Sequence, residues 1–265
     1  MQRFKRTYSI SEIAPYINWQ YFYFAWQVKD NEEQQRLRRQ AEARIERYDG
    51  KYTTHALFAI GDANGDGDDI VFEGHRIPLL RQQKTVDDGM PNLCLADFLR
   101  PSEQGLADRL GIFATTVDIG LETDFASDDF ERMMMQLIAD RLAEATAEKM
   151  HQEVRTSVWG YAPDENLTMQ QLHAEKFQGI RPAVGYPSLP DASLNFVLDS
   201  ILHFADIGVR LTESGAMKPH ASVSGFMISH PAARYFDVGQ VGDDQLRDYA
   251  QRRGIPVTLM KKFIS

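Results

Sequence analysis

The sequence predicts an α+β fold in one domain spanning 1–265. Three observations lead there. Some stretches carry apolar residues at helical spacing, while others read as strands closed by turn residues. No repeat, low-complexity linker or sharp composition change divides the chain. With 265 residues, 43% of them hydrophobic, it can bury most of its apolar side chains without staples.

Ile13 to Trp26 is crowded with aromatic residues, a pattern of core or of a ligand wall. Asn31 to Tyr48 reads as a charged helix with Leu37, Ala41 and Ile45 on a narrow apolar stripe. Thr54 to Ile60 and Ile70 to Glu73 read as strands joined by a Gly/Asp-rich hairpin loop. Asp88-Gly89-Met90-Pro91 is a loop, Leu93 to Leu99 is apolar, and Pro101 to Gly105 is a further break. Gly111 to Gly120 alternates as a strand. Ser127-Asp128-Asp129 looks like an N-cap with an acidic first turn, opening a helix to about Ser157. Pro163, Pro182, Pro187 and Pro190 mark an extended stretch. Ala192 to Ile207 then reads as helix, Ala221 to Ile228 as strand, and Asp243 to Arg253 as a helix stopped by Gly254.

The net charge of −9 and the lack of a Lys/Arg-rich run argue against nucleic acid as a partner. The single cysteine, Cys94, excludes an internal disulfide, a Cys-rich zinc site and a Cys-ligated iron–sulfur cluster. Its apolar flanks mark it as a small buried residue. The basic N-terminus leads into no long apolar run, and nothing approaches 18 uninterrupted apolar residues. The expectation is a cytoplasmic protein with no membrane contact.

Asp62, Asn64, Asp66, Gly67 and Glu73 match the spacing of an EF-hand calcium loop. The flanks read as strands, whereas that loop needs a helix on each side, and position eight is Asp69 rather than apolar. A solvated hairpin turn explains the same residues through the positive φ of Asn-Gly and Asp-Gly.

Two features carry more specific chemistry. In Gly179-Ile180-Arg181-Pro182-Ala183-Val184-Gly185-Tyr186-Pro187, prolines fix φ and make a stiff extended strip. Gly185 lets a ligand approach the backbone, Arg181 offers a planar fork suited to a carboxylate, and Tyr186 adds an aromatic face and a hydroxyl. A structural turn with Arg181 in a surface ion pair is the simpler reading of the composition alone. On the long helix, Phe130, Met133, Met134, Leu137, Arg141 and Glu144 form one stripe at 3–4 spacing. An inward Glu144 needs a partner, since an unpaired buried charge is costly. A Glu144 at the stripe edge would reach solvent or pair with Arg141 or Lys149. Spacing alone leaves both readings open.

The order of these strings resembles the S-adenosylmethionine-binding reactivation (activation) domain of cobalamin-dependent methionine synthase. The likeness rests on Trp159 to Leu167 and on Gln178 to Pro187, where that family's Arg-x-x-x-Gly-Tyr motif falls on Arg181, Gly185 and Tyr186. Asp140 to Ala145, Leu211 to Ser214, Ala221 to Gly225, Ser229-His230-Pro231 and Tyr235-Phe236 agree. So do Tyr16 to Trp19, Leu80 to Gln83 and Cys94 to Phe98, so the resemblance covers nearly the whole chain in order.

The resemblance implies a twisted antiparallel sheet flanked by helices, with S-adenosylmethionine in a shallow groove. It implies a domain that presents the sulfonium methyl group when the enzyme's cobalamin has become inactive cob(II)alamin and a flavodoxin-like donor supplies an electron. By matched position, Arg181 would hold the methionine carboxylate. Backbone groups of Arg181, Ala183 and Tyr186 beside Gly185 would fix adenine and ribose. Glu144 and Glu175 would bear on the cationic end of the ligand or on the cobalamin encounter, and Tyr235 and Phe236 would line the site. No residue of the chain would be catalytic in its own right, because cobalt is the nucleophile, and no metal ligand is expected.

Two departures matter. The family has aspartate where this chain has Asn18, a ligand contact, so a cation should bind less tightly by about 1 kcal/mol. It also has a tyrosine pair where this chain has Tyr235-Phe236. No Asp-x-His-x-x-Gly cobalamin motif is present, and the chain is too short for the folate and homocysteine modules. The expectation is therefore a stand-alone subunit, with cobalamin on a corrinoid-binding methionine synthase core as partner chain. A reactivator of another corrinoid methyltransferase and a non-catalytic S-adenosylmethionine-binding protein are the alternatives.

Overall fold

The computed structural model describes residues 1–83, 89–125 and 127–264. Asp88 of the expected loop at 88–91 lies outside them. The strands are β1 (Gln2–Ser9), β2 (Thr53–Asp66), β3 (Asp69–Phe72), β4 (His75–Pro78), β5 (Asp108–Val117), β6 (Arg210–Leu211), β7 (Met217–Lys218) and β8 (Ser222–Met227). The helices are α1 (Ile10–Ile13), α2 (Trp19–Ala25), α3 (Asn31–Tyr48), α4 (Gly120–Thr123), α5 (Asp129–Glu153), α6 (Met169–His173), α7 (Leu194–Leu202), α8 (Asp243–Arg253) and α9 (Val257–Met260).

One curled antiparallel sheet runs in the order β4-β3-β2-β5-β8. β2 is its spine. It pairs with β5 along one side, while β1 and β3 share the other, β1 against residues 53–60 and β3 against residues 63–66. Both faces are covered, which is why Ala56 to Ile60 is apolar without a break. Ala56, Phe58 and Ile60 face one core with Phe113, Val117, α3 and α5, and Leu57 and Ala59 face the other with Ile112, Ala114 and α7. A smaller cluster of Leu80, Val238, Leu246, Tyr249, Ala250 and Met260 seats α8 and α9.

Several expectations hold closely. α3 starts at its Asp30 cap and buries Leu37, Ala41 and Ile45. Asp128 caps α5 by accepting from the Glu131 amide. Gly254, at φ +65°, ends α8. Cys94 is fully buried, and burial pushes its thiol up to about 12. The hairpin between β2 and β3 forms, but β2 runs through Asn64 and Gly65 to Asp66, so the turn is only Gly67-Asp68, with Gly67 at φ +59°; Asp66 and Asp69 pair with Arg76, Asp68 with Arg81, and Glu73 with the N-terminal ammonium. Among the described residues, no helix is long and apolar enough to cross a membrane.

Other expectations are corrected. The basic N-terminus forms β1, a strand that Lys5 and Arg6 hide in the sequence by masking its Phe4/Tyr8 alternation. The strand at 111–120 runs from Asp108 to Val117, and Gly120 instead opens α4. The helix at 192–207 ends at Leu202, where His203 turns left-handed at φ +58°. The apolar stripe on α5 is rotated from the expected one. Phe130 and Met133 are exposed, and Met134, Met135, Ile138, Ala139 and Leu142 are the core face. Methionines at 133, 134 and 135 allow either face by spacing, and only the sheet above selects one.

The motif strip continues the sheet. Residues 180–184 lie along the free edge of β8. Ile180 and Ile228 exchange backbone hydrogen bonds at 2.9 and 3.0 Å, the Phe226 amide donates to Pro182, and the Val184 amide donates to Ser224. Pro182 accepts from Phe226 but has no N–H to donate back, so the ladder loses one bond there, a loss that an edge strand tolerates. The approach is close enough that a Cβ on Gly225 would sit 2.1 Å from the Pro182 carbonyl oxygen. Gly225→Ala should therefore destabilise the protein by about 1–3 kcal/mol, read as a lower urea midpoint. An unchanged midpoint would show that the strip is not pinned there.

Candidate functional site

The strip, α5, α2, α6 and the 235–236 loop enclose a cleft of about 740 Å³, a size that suits a small-molecule ligand. Of the residues singled out from the sequence, Asn18, Glu144, Glu175, Arg181, Ala183, Tyr186, Tyr235 and Phe236 line it. Gly185 stands just behind, at φ +88°, and makes the turn that carries Tyr186 to the rim. Its amide donates to Leu189 at 2.8 Å.

α5 supplies the opposite wall. Arg141, Glu144 and Glu148 follow one another at helical spacing and all face the cleft. Glu144 finds its partner in neither Arg141 nor Lys149. The Tyr186 hydroxyl donates to it at 2.9 Å, which raises the tyrosine pKa through burial and the adjacent negative charge. Lys149 pairs instead with Glu153. The Tyr186–Glu144 bond therefore ties the strip to the helix across the cleft.

Arg181 is in an ion pair, but not on the surface. Its Nη2 donates to Glu148 at 3.0 Å, with the two side chains 14% and 12% exposed. Its Nη1 donates to His151 Nδ1 at 3.0 Å. The Arg181 amide donates to the Tyr235 hydroxyl at 3.0 Å, and the Tyr186 amide to Ala183 at 3.3 Å. Two of the backbone N–H groups expected to meet a ligand are thus used inside the protein. Phe236 is held by its backbone, its amide donating to Ser188 Oγ at 2.9 Å.

Asn18 has a structural task beside its place in the cleft: its Oδ1 accepts from the Gln20 amide and caps α2. That helix buries Phe22 and Tyr23 and turns Tyr21 and Phe24 toward the opening. Glu175 follows α6 with φ +53°, a left-handed backbone that a side chain rarely adopts without support.

The sequence reading missed Glu148, His151, Arg155 and Glu165. The first three extend the 141–144 stripe by further helical steps, so continuing the same count would have found them. Arg155 is fully buried and sits on a π-helical turn at 154–158 that closes α5. Glu165 lies in the Trp159–Leu167 loop, where no local spacing signals a partner ten residues back on the helix.

Asp140 lines a smaller neighbouring pocket behind the Tyr186–Glu144 bond. Burial, with Glu122 and Glu144 nearby, lifts its pKa from 3.8 to about 6, against the pull of Arg141. A carboxyl whose folded pKa exceeds its unfolded value binds protons more tightly when folded. Stability should therefore fall as pH rises between 3.8 and about 6. Asp140→Asn should remove that slope and stabilise the protein near neutrality by roughly 1–3 kcal/mol. Urea melts on both sides of the window check it, and parallel pH profiles for the two proteins would refute it.

The fold and cleft can be set against known proteins. The family model for the vitamin B12-dependent methionine synthase activation domain matches residues 9–254. A crystal structure described as the MetH reactivation domain bound to AdoHcy is similar at a TM-score of 0.94. It is 35% identical in sequence, over 99% of this chain and 89% of that one. The sheet order, the flanking helices and the Arg181-bearing strip on the β8 edge thus sit within a shared architecture, and the chain belongs to the family of activation domains of vitamin B12-dependent methionine synthase.

Proposed function

We propose that the chain binds S-adenosylmethionine in this cleft and presents its methyl group to a cobalamin held by a corrinoid-binding methionine synthase core on a separate chain. The observation that carries the reading is Arg181 set among Glu144, Glu148 and Glu175 in a ligand-sized cleft. A zwitterionic amino acid with an added sulfonium needs a fork for its carboxylate and negative charge for the rest. The neighbouring MetH domain, bound to AdoHcy, supports the same ligand class.

Each residue then has a role in binding and orientation. Arg181 takes the carboxylate. Glu144 and Glu175 favour the cationic end. Ala183 and the turn at Gly185 bring backbone close to the nucleoside, while Tyr186, Tyr235 and Phe236 wall the site. Asn18 offers a neutral hydrogen bond. The cobalamin, when bound on the partner and reduced through a flavodoxin-like donor, supplies the nucleophile. This chain contributes position, and a well-oriented methyl group is worth several orders of magnitude in effective concentration. It works as one unit over 1–265, since the cleft draws on residues from Tyr16 to Phe236.

Calorimetric titration with S-adenosylmethionine tests the ligand. Saturable binding should weaken about 10- to 100-fold in Arg181→Ala, the loss of a charged hydrogen-bonded contact. No heat with the native protein at millimolar ligand would sink the reading. Asn18→Asp keeps the α2 cap and adds a charge, so it should tighten binding about fivefold, as for roughly 1 kcal/mol. The partner is tested by mixing the chain with a methionine synthase core stalled as cob(II)alamin, a flavodoxin and S-adenosylmethionine. Activity should return, and a core that stays inactive would remove the partner from the proposal.

A further inference from the structure

We infer that His151 is a positioning residue for Arg181: it holds one arm of the guanidinium off Glu148, so that this arm is not locked into an internal two-bond pair and can be released to the carboxylate of an amino-acid ligand. The inference rests on the reading that Arg181 receives that carboxylate.

The imidazole is wholly buried and faces two guanidinium groups. Its Nδ1 lies 2.8 Å from Arg155 Nη1 and 3.0 Å from Arg181 Nη1. Guanidinium nitrogens only donate, so Nδ1 must be bare and accept from both. The ring proton then belongs on Nε2, which lies 3.2 Å from the Tyr161 hydroxyl and donates to it. Burial, then Arg181 and Arg155, hold the His151 pKa well below the ordinary histidine value, so the ring stays neutral. Phe177 packs edge-on against it at 5.2 Å.

The acceptor is anchored from behind. Glu165 binds Arg155 through two parallel bonds of 2.7 Å each, and the guanidinium lies 4.0 Å over the Phe177 ring. Arg155 therefore has its charge answered by Glu165 and its plane fixed by stacking. Its remaining arm fixes His151, and His151 fixes Arg181.

Glu148 shows what this prevents. A guanidinium beside a carboxylate favours a two-bond fork. Here only Nη2 reaches Glu148, on Oε2. The other oxygen, Oε1, is buried and meets no hydrogen-bond donor among the described residues. The arm that would complete the fork is on His151 instead. Without that acceptor, Nη1 can turn to Oε1 and close an internal pair that competes with the ligand's carboxylate.

The test pairs variants with two ligands. His151→Phe keeps ring volume and removes the acceptor, while His151→Asn returns an oxygen near the Nδ1 position. Each protein is titrated with S-adenosylmethionine and with its decarboxylated analogue. His151→Phe should weaken S-adenosylmethionine by about tenfold or more, the scale of one charged hydrogen bond, and leave the decarboxylated ligand little changed. His151→Asn should recover most of the loss, and so should adding Glu148→Gln to His151→Phe. Equal losses for both ligands, or no loss for either, would overturn the inference. Nitrogen NMR of the ligand-free native protein judges it separately: Nδ1 should remain bare and Nε2 protonated between about pH 5 and 8. Titration in that range, or the opposite tautomer, would overturn it as well. A native protein that fails to bind S-adenosylmethionine would instead sink the functional reading, with the NMR result still deciding the state of His151.

Discussion

Residues 180–184 pair with the free edge of β8, and the cleft depends on that pairing. The strip has no secondary structure of its own to hold it, and its prolines remove donors. It is placed by backbone bonds to Ser224, Phe226 and Ile228, and by two glycines that let the backbones close up. Gly179, at φ +83°, and Gly225 would each set a Cβ within 2.3 Å of a carbonyl oxygen. Because β8 is itself paired to β5, and β5 to the β2 spine, Arg181 and, through the turn at Gly185, Tyr186 are mounted on the central strands of the sheet. A side chain on such a frame loses little further freedom when a ligand arrives, which is what orientation requires.

The opposite wall follows from α5 serving two environments at once. One face is core, from Met134 through Leu142 to Met150, and is chosen by the sheet. The other starts exposed at Phe130 and Met133, becomes polar at Arg141, Glu144 and Glu148, and ends fully buried at His151 and Arg155. Burying Arg155 with Glu165 would be unfavourable for an unmatched pair. The cost is offset here by two parallel bonds, a stacked ring and a neutral acceptor on the third side. The result is a row of hydrogen-bonded groups reaching from the interior to the cleft.

Asn18 shows how a local role and a site role overlap. Asn18 lines the cleft, where we propose that it contacts the ligand, and its cap on α2 needs only an acceptor oxygen, which Asn and Asp supply equally well. The charge can therefore vary without moving the helix. Glu175 is the converse. Its left-handed backbone would suit glycine better, so the side chain at that place has a structural cost.

By itself the sequence determined the α+β class, the boundaries of α3, the caps of α5 and α8, and the hairpin at 62–73. These are local: caps, turn residues and apolar spacing act within a few residues. Its likeness to a known family also marked Arg181, Tyr186, Glu144 and Asn18, because their order along the chain is specific even where their chemistry is ambiguous. Only the tertiary structure decided which face of α5 is buried, that β1 and β4 join the sheet, and that Glu144 pairs with Tyr186 rather than with its helical neighbours. Only it joined Glu165, Arg155, His151, Arg181 and Glu148 into one row. The Glu148–Arg181 and Glu144–Tyr186 contacts alone link residues 33 and 42 positions apart, and helical spacing cannot choose among partners that long-range burial brings together.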